Sequence, residues 1–406
     1  MHNEKHNKFK ISPKAIIVFT VFLDVLGIGL IIPVLPFYVE SFNVSANVVT
    51  ALFSVFALFS FFSAPLLGMI SDRKGRRPVL LVSLLSSAIG WIVFAFSKTI
   101  FGLFLGRIID GSAAGNISTA QNYLIDISKD KKERIKNLGL IGATFGIGFI
   151  VGPLVGGVLS GISMRLPFIV VGIMATINTI MAYFFLPETH HERNTTKISL
   201  NPFTPIIKAL KNKNMLPFFM SWLLFGVAIS INQSIFALYI AKVFSWTVIA
   251  SGLLMALIGV IISINQAFII HKIWLKYFKE SLLIVWMLIP FAFGYLIMAM
   301  PFKLAFILGL IITAFGQSTL RVIMTSQIIG FSEATEQGEM MGILTSLMSL
   351  SMIIGPILGG VVYGISASLP FTTAAIILFI TFVFVLKAYK KLKPMAHIEV
   401  EPVEAL

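Results

Sequence analysis

Four ionisable side chains interrupt otherwise apolar stretches of this sequence: Asp24, Arg107, Asp110 and Arg321. Burying a charged group in apolar surroundings costs several kcal/mol unless it meets water or a partner. Asp24 is therefore a candidate for binding a proton or a cationic ligand, and the alternative is a permanent hydrogen bond to a neighbouring helix.

Arg107 and Asp110 are three residues apart, so on a helix they share a face and can pair. Such a pair would reduce the cost of burial while keeping a switchable charge at a cavity; a purely structural pair is the alternative. Arg321 has no acidic residue in its own apolar stretch. We expect it to meet a cavity, an Asp from the other half of the chain or an anionic ligand, unless it makes a structural hydrogen bond.

A segment rich in glycine and charge joins two apolar stretches. A tight turn needs glycine where the backbone takes conformations closed to other residues, and an Asp beside an Arg cluster can form a breakable charge network at a helix end. A basic loop that only sets membrane topology is the alternative, although it would not explain the glycines and the Asp. The residues of this candidate gate are Gly68, Asp72, Arg73, Gly75, Arg76 and Arg77.

A glycine-rich segment occurs twice, half the chain length apart, which indicates a tandem duplication. GPLVGGVLSGISMRLPF begins at Gly152, and GPILGGVVYGISASLPF begins at Gly355. Glycines four apart let another helix approach closely, and a proline bends a helix. We predict a gate hinge, with static packing of small residues as the alternative. The candidate hinge residues are Gly148, Gly152, Pro153, Gly156, Gly157, Gly355, Pro356, Gly359 and Gly360.

The composition places these residues in a lipid bilayer. The chain is 57% hydrophobic and only 12% charged, and its mean hydropathy is +0.95. Because about 20 apolar residues span a bilayer, we predict an all-α polytopic membrane protein with six spans in each half. The first six are Ile16–Tyr38, Val48–Ile70, Val79–Phe96, Ile100–Tyr123, Leu138–Leu159 and Pro167–Leu186. The second six are Pro217–Ile240, Ile249–Ile270, Leu282–Met298, Leu304–Ile329, Met340–Tyr363 and Pro370–Leu386.

The basic residues orient these spans. In the loops opposite the N-terminus, the only Lys and Arg residues are Lys98, Arg165, Lys242 and Lys303. The positive-inside rule then places both termini and the central loop in the cytoplasm, and we predict a multi-pass protein of the cell (inner) membrane. The predicted domains are a first bundle at 1–189, a cytoplasmic linker at 190–214 and a second bundle with a short tail at 215–406.

Several function classes are excluded. The net charge of +14 lies in short loops beside the membrane, which favours contact with lipid headgroups over nucleic acid. There is no cysteine, and the pair His190 and His191 has no further ligand at metal-binding spacing, so we expect no metal. The chain has no phosphate-binding Gly-x4-Gly-Lys loop, so we expect no nucleotide or other cofactor, and no enzyme.

Mid-span amides are candidates for lining a substrate cavity, since such groups are tolerated where they face water or another helix. Hydrogen bonds between helices are the alternative. The candidates are Asn232, Gln233, Asn265, Gln266 and Gln317.

Four of these segments together resemble one family. The segment from Gly68 to Arg77 resembles the signature that follows the second helix of the major facilitator superfamily, and residues 23–36 resemble the first helix of its drug:proton antiporters. That family includes bacterial tetracycline and multidrug exporters. Residues 107–111 resemble its helix-four motif, associated with proton coupling, and residues 148–157 its helix-five antiporter motif. The resemblance implies the major facilitator fold, with two homologous six-helix bundles.

The resemblance also implies roles for particular residues. Asp126 is expected to join Asp72, Arg73 and Arg76 in a cytoplasmic network that holds the outward-open state, unless it is simply a solvated loop acid. Tetracycline exporters carry acids in their third and ninth helices, and the corresponding predicted spans here have none. This difference argues against tetracycline itself and leaves Asp24 and Asp110 to couple protons.

We therefore expect a secondary active transporter that exports amphipathic drugs or toxic compounds in exchange for protons, by alternating access. Its partners would be a small amphipathic substrate, protons and membrane lipids, and we expect a monomer. One alternative is a carrier of the same fold for a metabolite, sugar or lipid. Another is a membrane sensor or assembly protein that transports nothing.

Overall fold

A computed structural model describes residues 12–189, 203–331 and 337–392, and these residues form helices joined by short turns. The helices of the first half are α1 (Pro13–Glu40), α2 (Ala46–Lys74), α3 (Arg76–Phe96), α4 (Ile100–Ser112), α5 (Asn116–Asp126), α6 (Lys131–Ile162) and α7 (Leu166–Phe185). Those of the second half are α8 (Thr204–Lys211), α9 (Leu216–Phe244), α10 (Val248–Ile264), α11 (Leu275–Tyr277), α12 (Glu280–Met298), α13 (Lys303–Gly330), α14 (Gln337–Ile365) and α15 (Leu369–Leu392).

In the described part of the chain, 11 helices are long and apolar enough to cross a membrane. The fourth predicted span, Ile100–Tyr123, is not continuous, and here the sequence prediction was wrong. It is broken between α4 and α5 at residues 113–115, so that neither piece alone is long enough. Each of the other eleven predicted spans corresponds to one of these helices, so the predicted all-α polytopic fold is confirmed.

The break after α4 has a local cause. The backbone N–H of Gly115 donates to the carbonyl of Ala113 at 2.8 Å instead of continuing the helical ladder. The hydroxyl of Ser63 on α2 donates to the carbonyl of Gly111 at 2.7 Å, which is the acceptor that Gly115 would use in a continuous helix. A side chain that enters the ladder in this way interrupts a helix.

A second irregularity follows α10. The predicted span Ile249–Ile270 begins as an α-helix, but Asn265–Trp274 forms a π-helix, which we call the π-segment. π-Helical turns are rare and occur frequently at functional sites. The predicted span itself is confirmed, because Val248–Tyr277 is apolar and long enough to cross a membrane, but its last six predicted residues are π-helical rather than α-helical.

The described residues form two compact units. One contains the residues up to 189 together with Ser234–Val260, and the other contains Phe203–Gln233 together with the residues from Ile261 onward. In the first unit, α1 packs on α6, α7 and α5. Its core includes Ile17, Val21, Leu84, Tyr123 and Ile141, all at most 3% exposed. In the second unit, α12 packs on α13 and α15. Of the predicted linker, residues 190–202 lie outside the described residues, and α8 lies within the rest.

Candidate functional site

A small cavity in the first unit collects three of the four ionisable residues of the apolar spans. It has about 90 Å³ of space open to water, which is room for several water molecules. Asp24 from α1 reaches it, and so do Arg107 and Asp110 from α4. Phe56 and Trp91 form part of its apolar wall. Residues far apart in the sequence thus meet at one polar point inside an apolar bundle.

Arg107 and Asp110 pair inside this cavity as their spacing predicts. Arg107 Nη1 lies 3.2 Å from Asp110 Oδ2, and both residues are buried. The Ser87 hydroxyl donates to the other carboxylate oxygen of Asp110 at 2.8 Å. The guanidinium also lies over the ring of Phe56, 4.1 Å from its centroid. Such partners offset the loss of hydration that burial imposes on both charges.

Asp24 has a different kind of partner. The Nδ2 group of Asn116 donates to its Oδ1 at 3.1 Å, and no ion pair of Asp24 occurs within the described ranges. Asp24 is only partly buried. An acid that lines a space with room for water, and whose partner is an amide rather than a cationic side chain, can exchange a proton or accept a cation, whereas Asp110 is paired with Arg107.

A charge cluster lies at the other end of α5. Arg76 pairs with Asp72, its Nε lies 3.1 Å from Asp126 Oδ2, and its Nη1 donates to the Ser71 hydroxyl at 3.2 Å. Arg76 is only 6% exposed, so its charge depends on these acceptors. The structure therefore brings Asp72, Arg76 and Asp126 together, and we call these three residues the gate cluster.

The other gate candidates have different positions. Arg77 Nη2 donates to the backbone carbonyl of Tyr183 at 2.7 Å rather than to a carboxylate of the gate cluster. Arg73 is exposed. Gly68 lies inside α2, so the turn that we expected it to form does not occur there, and a Cβ added to it would meet no described atom within 4 Å.

Gly75 is the glycine that the turn requires. It lies between α2 and α3 with φ 109° and ψ 159°, a combination essentially restricted to glycine. A Cβ at this position would also collide with the carboxylate of Glu188. That carboxylate accepts the backbone N–H groups of Arg76 at 2.8 Å and Arg77 at 3.1 Å, the first residues of α3. A negative charge at a helix N-terminus is stabilising, so Glu188 holds the turn.

The glycines of the first repeat bring α6 against α1. A Cβ on Gly152 would lie 2.7 Å from the carbonyl oxygen of Leu26, and one on Gly148 would lie 2.7 Å from Val25 Cγ1. Gly156 meets Leu30 in the same way at 3.0 Å. Gly157 lies on another side of α6, where a Cβ would come 3.2 Å from the Cα of Gly252 on α10. Pro153 lies inside α6.

The second repeat forms a comparable contact in the second unit. A Cβ on Gly355 of α14 would lie 2.5 Å from Ser230 Cβ and 3.0 Å from the carbonyl oxygen of Val227, both on α9. Pro356 lies inside α14, and Gly359 and Gly360 are buried. Close approach of two helices is thus a property of both repeats, while the hinge itself stays a prediction.

Asn265, one of the amide candidates, takes the alternative role of a hydrogen bond between helical elements. It is fully buried at the start of the π-segment, and its Nδ2 donates to the hydroxyls of Ser318 at 2.6 Å and Thr319 at 2.8 Å on α13. The indole N–H of Trp274 donates to its Oδ1 at 3.1 Å. Its hydrogen-bonding groups are therefore used within the protein rather than offered to a ligand.

The remaining candidates differ in their exposure and in their hydrogen bonds. Arg321 is exposed and lines an open groove of about 410 Å³ together with Gln266, Thr325 and Ser326. Asn232 is 7% exposed, and its Oδ1 makes no hydrogen bond to the described residues. Gln233 and Gln317 are half-buried. The groove beside Arg321 is also lined by Val322 and Ile329, and a cavity role for Arg321 stays a prediction.

Sequence reasoning missed three residues that complete these sites: Ser87, Asn116 and Glu188. Asn116 is a mid-span amide like the candidates that were selected, and the same criterion would have found it. Serine is common in membrane helices, so Ser87 gave no signal by itself. Glu188 follows the last span of the first half, and only its position beside Gly75 in space reveals its role.

Comparison with known proteins identifies a family of membrane transporters that this chain resembles. Residues 17–285 and 269–404 match the Major Facilitator Superfamily. The chain is 30% identical over 363 residues to the tetracycline resistance protein, class C, of Escherichia coli, covering 87% of this chain and 90% of that protein. It is 25% identical over 378 residues to multidrug resistance protein 2 of Bacillus subtilis (strain 168), covering 90% and 92%.

Solved structures give the same fold. The chain superposes on a bacterial homologue of the human lysosomal transporter Spinster, in an inward-facing and occupied conformation, with a TM-score of 0.77 at 13% identity over 93% of this chain and 96% of that one. Repeated bundles of apolar helices with buried charges at a cavity define a multi-pass membrane transporter rather than an enzyme. The chain belongs to the Major Facilitator Superfamily, and its resemblance to the drug:proton antiporters is confirmed.

Proposed function

We propose that this transporter exports small amphipathic compounds in exchange for protons. The observation that carries the proposal is the position of Asp24. Its carboxyl group belongs to a membrane helix, lines a cavity with room for several water molecules, and has an amide as its hydrogen-bond partner. An acid in this setting can take up a proton from one side of the membrane and release it to the other. The nearby pair of Arg107 and Asp110 would adjust the charge of the same cavity.

The cavity also supports a cationic amphipathic substrate. Phe56 and Trp91 form an apolar wall beside the carboxyl of Asp24. Since the Arg107 guanidinium already lies over both rings, the carboxyl of Asp24 would attract the cationic group and the apolar wall would contact the rest of the substrate. The tetracycline and multidrug resistance proteins that this chain resembles favour a drug or toxic compound as the substrate. The predicted third and ninth spans have no acid, which argues against tetracycline itself.

Alternating access needs contacts that break and reform, and two features of the structure are suited to this. The gate cluster would hold one state of the transporter through Arg76, which is shared by two carboxylates. The bare glycine faces of α6 and α14 would let the helices shift against their neighbours. We place both termini in the cytoplasm and the protein in the inner membrane as a monomer, with its basic loops against anionic lipid.

The test is efflux of a chemically mixed dye panel from energised cells that express wild type or Asp24→Asn at matched membrane levels. We expect wild type to expel at least one dye, and we expect both Asp24→Asn and a protonophore to abolish the efflux. Asp130→Asn is the matched control. Asp130 is exposed, and its carboxylate caps α6 by accepting the Glu133 N–H at 2.7 Å, a role that Asn fills about as well.

The possible outcomes separate the parts of the proposal. Efflux that survives Asp24→Asn but not the protonophore would move proton coupling to Asp110. Wild-type cells that expel none of the dyes would contradict drug export and favour a carrier for a dedicated metabolite, sugar or lipid. Loss of efflux in Asp130→Asn as well as in Asp24→Asn would show that the effect is not specific to the acid in the cavity.

A further inference from the structure

Helix α5 connects the proton candidate to the gate cluster. Its first residue is Asn116, which donates to Asp24, and its last is Asp126, which pairs with Arg76. At about 1.5 Å per residue, a helix of 11 residues is roughly 16 Å long. One short rigid element therefore touches both sites, one at each end.

This helix is separated from α4 and packs into the core of the first unit. The break at residues 113–115 uncouples it from the helical ladder of α4. Gly115 allows α2 to approach at the break, because a Cβ there would lie 2.8 Å from Leu67 Cβ. Ala120, Tyr123 and Leu124 are fully buried in the core of the first unit. Displacement of one end of a rigid, close-packed helix moves the other end.

Asn116 can respond to the protonation of Asp24. An ionised carboxylate only accepts hydrogen bonds, whereas a protonated one also carries an O–H donor. The Nδ2 of Asn116 donates to Asp24 Oδ1, which suits the ionised form. Its Oδ1 is buried and makes no hydrogen bond to the described residues, although it could accept from a protonated Asp24 after rotation of the amide. Asn116 has a second hydrogen-bonding arrangement that only the protonated acid would satisfy.

We propose that α5 transmits the protonation state of Asp24, through Asn116, to the ion pair between Asp126 and Arg76. This inference rests on the proposed function in that Asp24 exchanges a proton. Asn116 acts as a positioning residue, since it responds to the acid and moves the helix that carries Asp126. Arg107 and Asp110 of α4 are the charged residues that share the cavity with Asp24, and they pair with each other.

The natural chain has no cysteine, so a single introduced one reports on its own surroundings. Ser71 is fully buried beside the gate cluster, and Arg76 donates to its hydroxyl, so Ser71→Cys should react with a maleimide only when that cluster opens. The rate of labelling is measured on the purified full-length protein in lipid nanodiscs. Asp24→Asn imitates the protonated, uncharged acid. The central comparison uses four proteins: the reporter alone, the reporter with Asp24→Asn, with Asn116→Leu, and with both changes.

We expect Asp24→Asn to change the labelling rate by about fivefold or more, the range of ordinary coupling between sites. In the Asn116→Leu background the same change should have no effect. Asn116→Gln, which keeps an amide, should restore part of the response. Asn178→Leu is the matched control, because Asn178 is a fully buried amide that donates to Thr20 on α1 but lies on α7. It should leave the full response in place.

Two results would overturn the inference: an equal response to Asp24→Asn with and without Asn116→Leu, or no response in either. If Asn116→Leu does not elute as a folded monodisperse protein, Asn116→Ala is judged by the same criterion. The assay needs no transported compound. A normal labelling response together with no dye efflux would therefore uphold the inference about α5 and count against drug export alone.

Discussion

A single substitution tests whether the glycine face of α6 is needed for its close contact with α1. The change is Gly152→Ala, which adds one methyl group. A Cβ there would lie 2.7 Å from the carbonyl oxygen of Leu26 and 3.2 Å from both Gly29 Cα and Leu30 N. All three are backbone atoms, so no side-chain rotation relieves the clash. The two helices must separate by about 0.7 Å to restore an ordinary contact of 3.4 Å.

The magnitude follows from comparison with Gly142→Ala on the same helix. Gly142 is exposed, and a Cβ there would meet no described atom within 4 Å. Both changes gain the same helix propensity, up to about 1 kcal/mol, so the difference between them isolates the overpacking. Overpacking by a methyl group costs about 1–3 kcal/mol. For a bundle of this size, that corresponds to an apparent Tm lower by about 2–12 °C in Gly152→Ala than in Gly142→Ala.

The assay is thermal unfolding of both variants in the same detergent at the same scan rate, because membrane proteins commonly unfold irreversibly and the apparent Tm depends on that rate. Equal Tm values would refute the argument, since they would show that α1 and α6 accept an added methyl group at no cost. A lower Tm in Gly142→Ala would refute it too, since no contact there explains a loss.

Two further predictions concern the gate and the π-segment. Gly75→Ala should lower the apparent Tm, because a φ of 109° is strained for alanine by about 1–3 kcal/mol and the added Cβ would meet Glu188. Gly68→Ala should not lower it, because a Cβ there meets no described atom within 4 Å. Thermal unfolding under the same conditions compares the two variants, and equal Tm values would contradict this prediction. Asn265→Leu should lower the free energy of unfolding by about 1–3 kcal/mol, because the Trp274 indole N–H loses its acceptor. Gln317→Leu, at a half-buried site, should lower it less. Urea unfolding of the two variants measures both changes, and the reverse order would count against the assigned role of Asn265.

The sequence correctly predicts properties that depend on composition or on spacing along one helix. Eleven of the twelve predicted spans follow from apolar length, and the pairing of Arg107 with Asp110 follows from a separation of three residues. The repeated glycine pattern predicted a close helix contact without naming the partner. In the structure that partner is α1 for Gly152 and α9 for Gly355.

The sequence does not predict the hydrogen bonds of a polar group whose partner is distant along the chain. A window of apolar residues cannot show that Ser63 takes the carbonyl that a continuous fourth span would use. Asn116, which donates to Asp24, and Glu188, which accepts the backbone N–H groups that follow Gly75, are likewise distant along the chain from the groups they satisfy. The sequence by itself determined the class of protein, because lipid demands long apolar helices whatever their arrangement. The tertiary structure decided which buried polar groups meet, because a hydrogen bond depends on distance and direction in space rather than on position along the chain.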